Sequence, residues 1–176
     1  AIAEARSGLS LPDNARLDVL AFLGQEPYMD LGNTLQAASV YNRALGEEDH
    51  NNSVVALLAL SKVGGADPKN ATAGKAAPKI NPVLRSSIYK SLGQVDWSKL
   101  THHGKLTLAR AYQIALIRLG QSNAHTADGI IKNLDPHFPA PDFEQNWLLI
   151  ETLAYLQAPT VAAKGIKLIQ ESPTQE

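Results

Sequence analysis

The sequence predicts an all-α fold, an α-solenoid of about four stacked helical hairpins. Three observations predict it. Apolar stripes of helical period recur from end to end, capping residues and glycine stops punctuate them, and the stripes pair at a spacing near forty residues. Ala and Leu supply much of the 44% hydrophobic content, with only 6% aromatic, and both favour helices.

The chain reads as a single domain over residues 1–176, long enough for a substantial core. The first helix runs from Asp13, a candidate N-cap, to Leu23 before Gly24, with Leu17, Leu20 and Ala21 on one face. A second spans Thr34 to Leu45 and stops at Gly46. The third, Ser53 to Val63, follows Asn51-Asn52 and ends at Gly64-Gly65. Its run from Val54 to Leu60 is apolar on nearly every side, as in a helix buried on most of its surface. Residues 65–79 turn to Gly, Ala, Lys, Asn and Pro and read as a loop or insertion.

Helicity resumes where Asn81 can cap and Pro82 can occupy the first helical position, and the stop is expected at Gly93. Asp96 to Leu100 reads as a connector of about one turn. The longest helix begins at Thr101 and ends at Gly120. Another spans Ala124 to Leu134 and breaks at Asp135-Pro136. Asp142 then caps a helix expected to reach Gln157, Ala158-Pro159-Thr160 makes a corner, and a last helix finishes near Glu171. Trp147 lies in an apolar stretch and is expected in the core.

The eight helices pair as four hairpins whose first members begin near Asp13, Asn52, Thr101 and Asp142. A period near forty built from two helices is the signature of HEAT or armadillo-type arrays. An eight-helix globular bundle fits the same periodicity, and with it a compact ligand-binding or enzymatic fold with a closed pocket. In a stack, each apolar helix is covered by its partner and by neighbouring repeats, so terminal repeats are expected to show apolar surface.

Particular stretches resemble a known family. They are Arg110-Ala-Tyr112-Gln-Ile-Ala-Leu-Ile-Arg118-Leu-Gly120, Leu134-Asp-Pro136-His-Phe-Pro139-Ala-Pro141, Tyr155-Leu-Gln-Ala-Pro159 and Pro173-Thr-Gln-Glu176. Together they resemble the HEAT-repeat region of very large secreted bacterial multidomain proteins. Such proteins combine the repeats with a sorbosone-dehydrogenase-like propeller and a cytochrome-c-like haem domain. The resemblance is best from Ser53 to Glu176. It implies a spacer or docking segment whose partners are other domains of the same parent chain or another protein, and it implies an extracytoplasmic location. The haem-attachment pattern Cys-x-x-Cys-His and the strand pattern of a propeller are both absent, so neither haem nor dehydrogenase residues carry over.

The residues themselves point away from chemistry within this segment. There is no cysteine, hence no disulfide, thiolate ligand or thiol nucleophile. His102 and His103 are adjacent and point about 100° apart on a helix, which is poor for chelation. His50, His125 and His137 sit beside caps or turns without a ligand partner at helical spacing. Glu47-Glu48-Asp49 reads as a solvated turn, and neither a nucleophile elbow nor a phosphate loop occurs. The expectation is therefore no enzyme activity, no cofactor and no metal.

No nucleic-acid partner is expected, since the 16 basic and 17 acidic residues balance to −1, neither a basic excess nor a clustered basic stripe is read, and the Lys69 to Lys79 cluster is dilute and loop-like; no apolar run is long enough to span a membrane. Trp97, in the connector, and Tyr28, between the first two helices, are the candidate partner contacts. For Trp97 the competing reading is a plug between two hairpins.

Overall fold

The computed structural model describes residues 46–64, 80–121 and 123–171, whose regular structure is helical with no strand among them. Helices α1 (His50–Val63), α2 (Pro82–Gln94), α3 (His102–Leu119), α4 (Ala124–Leu134), α5 (Phe143–Tyr155) and α6 (Val161–Glu171) are joined in part by 3-10 turns at Trp97–Lys99 and Asp135–His137. The helices expected at 13–23 and 34–45 and the loop expected at 65–79 lie outside the described residues. By internal contacts the chain divides into two compact units, Ala1–Gly120 and Gln121–Glu176. The boundary falls inside the third hairpin of the sequence reading.

In the first unit, α1 starts at His50, three residues before the expected start at Ser53. Asp49 is the N-cap, its carboxylate accepting the Asn52 N–H at 2.8 Å. Val54, Ala56, Leu57, Ala59, Leu60 and Ser61 are all buried, so α1 is covered on most sides. The Ser61 hydroxyl stays satisfied by donating to the Leu57 carbonyl at 2.7 Å. Helix α2 opens as its sequence dictates, with Asn81 accepting from the Val83 and Leu84 amides and Pro82 in the first turn. It passes through Gly93 to Gln94, because that glycine stays right-handed and nothing there demands a stop. Gly120 does end α3, with φ +69°, a left-handed value that glycine tolerates best.

The ends of these three helices are tied together. At one end Asn51 Oδ1 accepts from the Thr101 backbone and hydroxyl, at 2.9 and 3.0 Å. At the other end Arg118 donates to the Lys62 carbonyl at 2.8 Å. Helices α1 and α3 therefore run parallel, start beside start. Helix α2 runs the opposite way, since Arg85 and Tyr89 donate to the carbonyls of Leu119 and Gly120 while Asp96, just beyond its end, donates its N–H to His50. The positions of Arg85 and Arg118 suit the negative carboxy ends of α3 and α1. Ala109, Ala111 and Ala115 are buried on α3, and these small side chains allow a close helix contact.

In the second unit, Asn123 caps α4, which buries Ala127, Ile130 and Leu134 at i, i+3 and i+7. Phe138 is buried before a cis bond to Pro139. Asp142 caps α5 by accepting the Gln145 amide at 3.0 Å, and the Gln145 side chain reaches back to the same carboxylate. Asn146 fixes the preceding corner by bonding both the N–H and the carbonyl of Ala140, at 2.6 and 2.8 Å. Leu149, Thr152 and Leu153 face the core. Helix α5 ends at Tyr155, two residues short of expectation, because Gln157 turns left-handed at φ +57°. Gly165 of α6 is buried against Ile150, where an added Cβ would stand 3.2 Å from the isoleucine Cδ1.

Candidate functional site

Trp97 stands in the 3-10 turn between α2 and α3, and the surrounding residues make this corner a built structure. Asp96 caps the turn, accepting from the Ser98 hydroxyl at 2.7 Å and from its backbone N–H at 2.9 Å. The side-chain bond, then the backbone bond, holds the Asp96 carboxyl below its ordinary value against an opposing cost of burial, with the Lys99 charge adding a lesser lowering. The Asp96 amide donates to His50 Nδ1 at 3.2 Å, which ties the turn to the start of α1.

Thr101 caps α3, accepting the Gly104 N–H at 3.1 Å while donating to Asn51. A Cβ on Gly104 would fall 2.4 Å from Asn51 Oδ1, so glycine is what permits this approach. Trp97 itself is half-buried, with Lys105 Nζ 6.0 Å from its ring centroid, at the outer limit of a cation–π contact. Both sequence readings of Trp97, anchor and plug, are compatible with that placement. Tyr28 lies outside the described residues.

The histidines do not converge. His102 and His103 are exposed in the first turn of α3, His125 is exposed on α4, and His137 is half-buried in the second 3-10 turn. Among the described residues no group of three His, Cys, Asp or Glu side chains is placed to hold a metal ion. Asp49, read from sequence as part of a solvated acidic turn, is a helix cap.

No family model, no curated protein and no solved structure matches the chain.

A second surface comes from a correction. Trp147, expected in the core, is 55% exposed, and Phe143 and Tyr155 are 68% and 64% exposed. The buried residues of α5, Gln145, Leu149, Thr152 and Leu153, lie on the side opposite Trp147. Phe143 and Trp147 pack on each other as a tilted pair with centroids 6.0 Å apart. Phe143, Trp147, Glu151 and Tyr155 follow at steps of four, and Glu144 sits beside them, so one outward side of α5 is aromatic and acidic. Helix α5 contains no Lys or Arg. On α6, Ile166 and Ile169 are exposed as well. The step-of-four spacing is visible in sequence. What sequence could not show is which side of a helix with apolar residues around much of its circumference the core would take.

Proposed function

We propose that this chain is a non-catalytic scaffold, a run of HEAT-like helical hairpins that spaces or docks other domains of a larger extracytoplasmic protein. The observation that carries the reading is the parallel stacking of α1 on α3, start to start at Asn51–Thr101 and end to end at Arg118–Lys62, with α2 returning antiparallel. In a solenoid the first helices of successive pairs lie parallel in this way, each covered by its own partner and its neighbours. The burial of α1 on most sides fits that role. The polar side chains with the best geometry here join helix ends: Asn51, Thr101, Arg85 and Arg118 in one unit, Asp135 and Lys164 in the other. The location and the multidomain setting rest on the family resemblance of residues 53–176.

Small-angle scattering on the monomeric chain tests the architecture. A compact globule of this length has a radius of gyration of about 16 Å. An elongated profile with a clearly larger radius is expected. A value at or below the compact figure would turn the reading towards a closed helical bundle with a pocket.

A further inference from the structure

The overall charge of −1 conceals a segregated distribution. Residues 1–49 hold three basic and eight acidic side chains, residues 50–120 hold ten basic and two acidic, and residues 121–176 hold three basic and seven acidic. The middle stretch is thus at +8 between flanks of −5 and −4. Among the described residues from 50 to 120 the only carboxylate is Asp96, already engaged by Ser98. Helix α3 carries Lys105, Arg110 and Arg118 without an acid, and α2 carries Arg85 and Lys90 likewise. Arg85 and Arg118 are committed to helix carboxy ends, whereas Lys90 and Arg110 are exposed, Arg110 also donating to Gln113 on its own helix at 2.8 Å.

We propose that the outward side of α5 is a docking face for the basic helices α2 and α3 of a second copy of this chain, giving head-to-tail association. The chemistry of the face matches that occupant. Glu144 and Glu151 place exposed carboxylates on it, and Phe143, Trp147 and Tyr155 give aromatic surface on which Lys and Arg side chains stack. Aromatic residues and arginine are the side chains that most often carry binding energy at such contacts. Every molecule presents both halves, so the contact is between two different surfaces and extends by addition of further copies. The α5 face is present whether or not the helices form a solenoid, so the proposal stands apart from the architecture proposed above.

Sedimentation velocity on the full 176-residue chain tests it, over a concentration series in low salt and in about 0.5 M salt, where the Debye length falls to about 4 Å. The expected result is a mass that climbs above 18.9 kDa with concentration in low salt and returns to it in high salt. Glu144→Lys with Glu151→Lys, and separately Lys90→Glu with Arg110→Glu, should each weaken association by about tenfold or more. All four positions are exposed, so helical content measured by circular dichroism should not change. Mixing the two variants should restore a complex of twice the monomer mass, since each retains the face the other lacks. A wild-type chain that stays monomeric throughout the low-salt series overturns the proposal, including the case where the two faces meet within one molecule. Association unaffected by the α5 charge reversal overturns it too, as does a chain that stays monomeric yet binds a DNA duplex in low salt.

Discussion

Two residues carry conformational demands that substitution can expose. Gln157 holds the left-handed position after α5, where the Ala158 N–H reaches the Leu153 carbonyl at 2.9 Å and the Gln157 N–H reaches Ala154 at 3.0 Å. This is the Schellman pattern, and glycine is its usual occupant because a side chain at positive φ crowds the backbone. Gln157→Gly is therefore expected to stabilise the protein by about 1 kcal/mol, read as a higher urea midpoint with an unchanged slope. Gly104 is the reverse case. Its missing Cβ leaves room for Asn51 Oδ1, so Gly104→Ala should destabilise by about 1–3 kcal/mol. A double-mutant cycle identifies the cause: the same substitution in an Asn51→Ala background should cost clearly less. Equal costs in both backgrounds would mean that Asn51 is not the obstacle.

Elements in the second unit are tied by one polar cluster, and its pH response follows from sign. Asp135, just after α4, accepts from the Thr160 hydroxyl and pairs with Lys164 of α6 at 2.9 Å, while Lys164 also donates to the Asp135 carbonyl. The Thr160 bond first, then the Lys164 bond and charge, lowers the Asp135 pKa against partial burial, which raises it. A depressed carboxyl pKa stabilises the fold above the unfolded value near 4, and that contribution is lost as pH falls through the folded value. Asp135→Asn should lower the urea midpoint at pH 7, and the gap from wild type should close towards pH 3. These elements were largely legible beforehand wherever local chemistry sets them. Asn81, Thr101 and Asp142 cap the helices assigned to them, and Ala124–Leu134 stands where its stripe begins and ends. Two misses, at Gly93 and Gln157, lie in the local backbone state, and the others were decided by groups far away in sequence. Asn51 is drawn off to Thr101, fifty residues away, and Asp49 takes the cap. Trp97 could be placed in a turn by its neighbours, but Trp147 could not be placed outside the core, because an apolar side chain does not announce what will cover it.

At the scale of the whole molecule, the division at Gly120 makes a claim about cooperativity. Each unit has its own fully buried large side chains: Leu57, Ile88, Leu92, Tyr112 and Leu119 in one, Leu134, Leu149 and Leu153 in the other. A core truncation should therefore be felt first within its own unit. Leu57 is fully buried in α1, and Leu57→Ala is expected to cost about 2–5 kcal/mol through lost burial and the cavity left behind. Hydrogen exchange followed by mass spectrometry reads where that loss is spent. The most protected amides of α1, α2 and α3 should exchange faster by about a hundredfold, while those of α4, α5 and α6 keep rates close to wild type. Leu149→Ala should give the mirror image. If both truncations accelerate all six helices equally, the two units unfold as one, and the break after Gly120 is a feature of contact density with no counterpart in stability.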